Sequence, residues 1–169
     1  MKIKKLTLSA ILTAVALTIF LVEAQIPALV PVPGIKLGLS NIVTMFAVFV
    51  LSGKEALAIM LVRVFLGAIF SGQPSTIAYS AAGGILALLC AIALKRILTT
   101  RQIWVAGCLG AIAHSIGQMA VAVLLTGTPQ LLIYLPVMLL CSIATGLFTG
   151  LCAQVLVNRR DLFWKTFLK

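Results

Sequence analysis

Acidic side chains are almost missing from this sequence: Glu23, Glu55 and Asp161 are the only three in 169 residues. Paired aspartates that hold Mg²⁺ against a diphosphate cannot be assembled from so few. A Gly-x-x-x-x-Gly-Lys-Ser/Thr phosphate loop is also absent, so ATP hydrolysis by the chain alone is not expected. There is one histidine, His114, and Glu23 is the only acid on the side of the chain facing it, which leaves no catalytic triad to build. Cys90, Cys108, Cys141 and Cys152 all fall in apolar segments and none forms a Cys-x-x-Cys pair. That spacing gives neither a disulfide framework nor a zinc site and predicts buried small hydrophobes. The expectation is a protein with no metal, no cofactor and no catalysis of its own.

What is present is apolar. Hydrophobic residues make up 62% of the chain and charged residues 9%, with a mean hydropathy of +1.22. A soluble domain of this size needs more polar surface, so lipid is the predicted solvent for most of the exterior. The length fits one domain spanning 1–169. The formal charge of +10 would suggest nucleic acid in a soluble protein. Here the basic residues flank apolar runs, and membrane topology is the simpler explanation. Lys2, Lys4 and Lys5 before an apolar run look like a secretion signal, with Val22-Glu-Ala24 as a loose cleavage site. The run from Leu6 to Val22 is longer than a usual signal core and more such segments follow, so it is read as a retained first helix.

Apolar stretches approach the ~20 residues that cross a bilayer. Helices are predicted near Leu6 to Gln25, Leu37 to Ser52, Glu55 to Phe70, Ser75 to Leu94, Ile103 to Leu125 and Leu131 to Val157. The fold class is therefore all-α, with six transmembrane helices. Pro27, Pro31, Pro33 and Gly34 predict a rigid non-helical loop after the first helix. On one side of the six crossings fall Lys2, Lys4, Lys5, Lys54, Lys95, Arg96, Arg101, Arg159, Arg160, Lys165 and Lys169. The other side has only Lys36. By the positive-inside rule both termini are cytoplasmic, in a multi-pass protein of the cytoplasmic membrane, and the proline-rich loop faces outward. Ala10 with Ala14, Gly34 with Gly38, and Gly146 with Gly150 have the small-xxx-small spacing that lets helices approach closely, with internal packing as the default use.

Polar groups within these spans need partners or a purpose. Arg63 falls near the middle of the third helix. His114 falls near the middle of the fifth, beside Ser115 and four residues before Gln118, so that His114 and Gln118 share one face. The second helix brings Lys36, Ser40 and Asn41 at its outer end, and the first brings Glu23 and Gln25. One outward cavity gathering Glu23, Lys36, Ser40, Asn41, Arg63, His114 and Gln118 would carry net positive charge and favour an anionic or electron-rich ligand with an apolar part. The plainer alternatives are an Arg63–Glu23 structural ion pair and a His114 bonded to a carbonyl. Glu23 reads foremost as a counter-ion. Ser80, Gly83 and Gly84 on the fourth helix suit packing, although glycine admits a ligand to the backbone and Ser80 is counted with the substrate-binding candidates.

The stretch Pro33-Gly-Ile-Lys-Leu-Gly-Leu-Ser-Asn41 resembles the bacterial Gx transporter family, whose members are labelled heptaprenyl diphosphate synthase component I. The likeness continues through Arg63, Ser80 with Gly83 and Gly84, the segment from Gly110 through His114 to Gln118, Leu135-Pro136, and Gly146 to Gly150. Ser115 departs from the Asn that usually follows the histidine. That family is in turn similar to the substrate-binding S components of energy-coupling factor (ECF) transporters, which have six helices and an outward pocket. The resemblance implies that Ala10 and Ala14 dock a membrane coupling subunit, with ATPases supplying energy. It implies a substrate-binding subunit of a small-molecule transporter. The alternative is a non-catalytic accessory subunit of polyprenyl diphosphate or quinone biosynthesis.

Overall fold

A computed structural model describes residues 2–26 and 38–159. The proline-rich loop, Lys36, Gly34 and the basic residues beyond Arg159 lie outside the described residues. Among the described residues the chain is all helical. Six α-helices follow in order: α1 Lys2–Glu23, α2 Asn41–Val50, α3 Gly53–Ser71, α4 Thr76–Lys95, α5 Ile103–Thr126 and α6 Leu135–Asn158. A 3-10 turn, Pro129–Tyr134, leads into α6.

The helix boundaries follow from local chemistry. Ser52 caps α3 by accepting from the Lys54 N–H at 3.3 Å. Its hydroxyl also bonds the Glu55 carboxylate, so the Ser-x-x-Glu spacing fixes the start and puts an acid in the first turn. Gly72 and Gly127, at φ +64° and +62°, close α3 and α5 in the left-handed conformation. Pro136 stands in the first turn of α6, where no N–H is required. The sixth helix therefore begins at Leu135 rather than Leu131, and the intervening residues wind as the tighter 3-10 turn.

The largest departure from expectation is α2. The sequence predicts Leu37 to Ser52, whereas the α-helix covers only Asn41–Val50. Gly38 adopts φ +82° and turns the chain just before it; its small-xxx-small partner Gly34 lies outside the described residues. At 1.5 Å per residue α2 is about 15 Å long, half of the ~30 Å hydrocarbon core. It is also central: residues Val43 to Val48 are all at most 6% exposed, and α2 packs on each of the other five α-helices. Lys95 on α4 donates from Nζ to the Val48 carbonyl at 2.6 Å, placing a cation at the negative end of this short helix.

Glycines set the helix spacing around it. A Cβ on Gly107 would collide with the Gly146 carbonyl oxygen and with the Gly150 Cα. Gly146 and Gly150 therefore seat α6 against α5, as internal packing predicts. Gly117 meets Ala82 and Gly83 of α4 in the same way. These contacts make α4, α5 and α6 successive antiparallel neighbours. They also bring Lys54, Lys95 and Arg101 to one end of the bundle, where Gly53 packs on Ile92 and the Trp104 N–H reaches the Gln154 side chain.

The exterior is apolar. Phe65, Phe70, Leu89, Leu124, Leu140 and Phe148 are each 56–80% exposed, while Glu23, Arg63, His114 and Gln118 are at most 3% exposed. Four helical segments, Ile3–Glu23, Thr76–Lys95, Ile103–Thr126 and Pro129–Asn158, are long and apolar enough to cross a membrane. The four cysteines are free and half-buried rather than buried, because each sits on a helix flank between the packed and exposed faces.

Candidate functional site

The entrance to α2 is where the polar groups converge. The Gly38 N–H donates to Glu23 Oε1 at 2.5 Å, joining the end of α1 to the turn. Two residues on, the Ser40 hydroxyl, fully buried, accepts from Arg63 Nη1. The His114 ring packs on the same turn: a Cβ on Gly38 would lie 3.1 Å from its Cδ2 and 3.2 Å from its Nε2. The Asn41 amide nitrogen stands 3.0 Å from that same position. Glu23, Ser40, Asn41, Arg63 and His114 thus meet around four residues, Gly38 to Asn41.

Helix geometry explains the common depth. Arg63 is ten residues from the start of α3, His114 eleven from the start of α5, and Gly83 twelve from the end of α4. At 1.5 Å per residue each lies roughly 15–18 Å from the basic end of the bundle. The start of α2 lies at the same level, because α2 is about 15 Å long and Lys95 holds its other end. His114 fits between Gly38 and Gly83, since a Cβ on Gly83 would stand 2.8 Å from Nδ1.

Arg63 is 2% exposed. The Phe20 ring lies 5.6 Å from its Cζ, and the Glu23 carboxylate stabilises its charge electrostatically. Yet among the described residues Arg63 Nε and Nη2 have no hydrogen-bond partner, and neither amide atom of the fully buried Gln118 has one. An unmet buried polar group costs about 1–3 kcal/mol. Gln118 lies one helical turn beyond His114 on α5, so these unmet groups flank the histidine. The free Nε and Nη2 of one guanidinium form the fork that meets two oxygens of a carboxylate or phosphate.

One predicted polar residue takes other surroundings. Ser115 turns away from the cluster and its hydroxyl lies 2.5 Å from that of Ser142, which donates to the Met138 carbonyl; this ties α5 to α6. Ser80 is buried on α4 in the same stretch as Gly83. Ala10 and Ala14 are exposed on α1, outside the bundle. Lys36 lies outside the described residues.

A small cavity opens beside the cluster, between α2, α4, α5 and α6, with about 20 Å³ of water-sized space. It begins at Gly38 and Asn41 and is bounded further on by Thr44, Thr145 and Thr149. The sequence analysis does not single out these threonines. Their signal was the helical spacing of Asn41 with Thr44 and of Thr145 with Thr149. Among the described residues no three His, Cys, Asp or Glu side chains come together.

An apolar exterior around a buried, incompletely bonded polar cluster defines a helical protein of the membrane type with an interior polar site. The chain belongs to the family described as heptaprenyl diphosphate synthase component I, which it matches over residues 12–156. No curated protein and no solved structure matches it.

Proposed function

We propose that this chain is the substrate-capturing membrane subunit of a small-molecule transporter, of the S-component kind, which takes an anionic or amphipathic ligand from the outer side. The observation that carries this reading is the buried guanidinium of Arg63, with Nε and Nη2 unmatched beside the turn at Gly38 to Asn41. In the bound state Arg63 meets the anionic end and Lys36 adds a second cation. Ser40, Asn41, His114, Gln118 and Ser80 contribute hydrogen bonds, and Glu23 fixes the turn and balances charge. Leu, Ile, Val and Phe side chains surround the apolar remainder.

In this reading the chain crosses the cytoplasmic membrane six times with both termini inside. The basic end of the bundle is then cytoplasmic. The third crossing accommodates Arg63 because its guanidinium faces Ser40 and Phe20 rather than lipid. The second crossing is discontinuous: α2 forms its inner half and its N-terminus opens at mid-depth. The first N–H groups of α2 are bonded to the Gly38, Leu39 and Ser40 carbonyls, so what this broken helix brings to a ligand's anionic group is its partial positive charge. Ala10 and Ala14, exposed on α1, would dock a coupling subunit that brings ATPases; this S-component likeness rests on sequence motifs alone.

The family description favours a second reading, a non-catalytic membrane component that presents a prenyl diphosphate or related lipid to a separate synthase component. The same polar cluster would serve, because a prenyl diphosphate is also an anion with an apolar tail. Mass spectrometry of small molecules retained by the protein purified in detergent tests the shared claim. A retained anion that is lost from Lys36→Ala and Arg63→Ala supports it, and equal retention by the variants contradicts the site. Affinity capture separates the readings: recovery of coupling ATPases favours transport, and recovery of a prenyl synthase favours biosynthesis.

A further inference from the structure

The cavity beside the cluster is rich in hydrogen-bond acceptors. Thr145 Oγ1 already donates its single proton to the Cys141 and Ser142 carbonyls at 3.0 and 3.3 Å. Thr149 Oγ1 donates to the Gly146 carbonyl at 3.3 Å. Each hydroxyl has one proton and two lone pairs, so both present only acceptor capacity to the cavity. Asn41 Oδ1, a third acceptor, is buried without a partner among the described residues, and so is the hydroxyl of Thr44, 4% exposed, which can both donate and accept. A hydroxyl group, which donates one proton and still accepts, matches this set.

Nor can the occupant be a cation. The cavity starts at the N-terminal, positive end of α2, next to the turn that Arg63 holds through Ser40. No acidic side chain lines it. A cation would meet a like-signed field with no counter-charge. The space is enough for one oxygen-sized group with several polar partners.

We infer that this cavity is a hydroxyl subsite, so that the ligand is an anion carrying a hydroxyl group that reaches past Asn41 to Thr44. The inference rests on the anion-binding reading of Arg63 and narrows its substrate class. The same O–H chemistry is available from a water molecule, and the experiment separates the two sources.

Gly110 provides a clean control. A Cβ there would stand 3.7 Å from Met45 Cε and 3.8 Å from the Ala87 oxygen, ordinary contact distances, so Gly110→Ala fills cavity space without forcing the helices apart. It also raises helix propensity, so this variant is expected to fold.

The test measures affinity of the purified full chain in detergent, by thermal shift, for n-alkyl phosphates of two to six carbons and for their ω-hydroxy counterparts. In a purely apolar pocket the hydroxyl weakens binding, because it is costly to bury without a partner. The subsite predicts the opposite for one chain length: the hydroxylated probe binds roughly five- to tenfold more tightly, the gain of one good buried hydrogen bond. That preference should disappear in Thr44→Val and in Gly110→Ala while the plain alkyl phosphate binds as before. Equal or weaker binding of every hydroxylated probe overturns the subsite, leaves the cavity to water and keeps the anion reading. Failure of all probes to shift the unaltered protein overturns both.

Discussion

Each buried donor without an acceptor costs about 1–3 kcal/mol, and Arg63 has two of them at 2% exposure. Replacing Arg63 by Met removes that cost but also takes away the cation that compensates the buried Glu23 carboxylate. Arg63→Met should therefore unfold at a lower temperature than the unaltered protein when both are free of ligand, and show no stabilisation by added anion. A scanning thermal measurement with and without alkyl phosphate checks both halves. That Arg63 and His114 are interior polar groups near Asn41 was legible in the sequence, because polar side chains stand out in an apolar helix and few are present. The turn at Gly38 around which they meet was not, because it depends on how α3, α4 and α5 stack around α2. Ser115 illustrates the limit: it neighbours His114 in sequence, but one residue is about 100° of helical rotation, and that turns it to Ser142.

At the scale of elements, α2 decides where the site sits. The apolar run from Leu37 gave no hint that the helix starts only at Asn41; Gly38 at φ +82° breaks it, and a glycine alone does not reveal that conformation in a sequence. Lys95 fixes the far end of α2 through the Val48 carbonyl. Lys95→Met should remove about 1 kcal/mol of local stability and accelerate amide exchange in residues 41–50 while leaving α6 unchanged, as hydrogen-exchange mass spectrometry would show. The α5–α6 contact is tighter still. Gly107→Ala drives a methyl into the Gly146 backbone and should destabilise by about 1–3 kcal/mol, whereas Gly110→Ala, on the same helix, should not. Comparing their unfolding temperatures tests this glycine-mediated packing. The Gly146 and Gly150 pairing was legible from spacing alone, although its partner on α5 was not.

For the whole molecule, the arrangement is that of a soluble protein inverted: apolar side chains outside and ionisable ones at the centre. Composition alone gave that inversion, because so few charged residues cannot cover a surface of this size. The distribution of lysine and arginine gave the proposed orientation, and the packing that brings Lys54, Lys95 and Arg101 to one end agrees with it. In a background with the native cysteines replaced, Thr128→Cys should react with a membrane-impermeant maleimide on intact cells. Thr100→Cys should react only after permeabilisation. The reverse pattern would invert the molecule and place the entrance of the site on the cytoplasmic face.

The central claim is that the unmatched donors of Arg63 receive an anionic ligand, and experimental density for protein purified from its native membrane addresses it directly. The account predicts non-protein density within hydrogen-bonding distance of Arg63 Nε and Nη2, beside Ser40 and His114. Density showing both donors closed on Glu23 or a backbone carbonyl, with no space left between α2, α3 and α5, would contradict it.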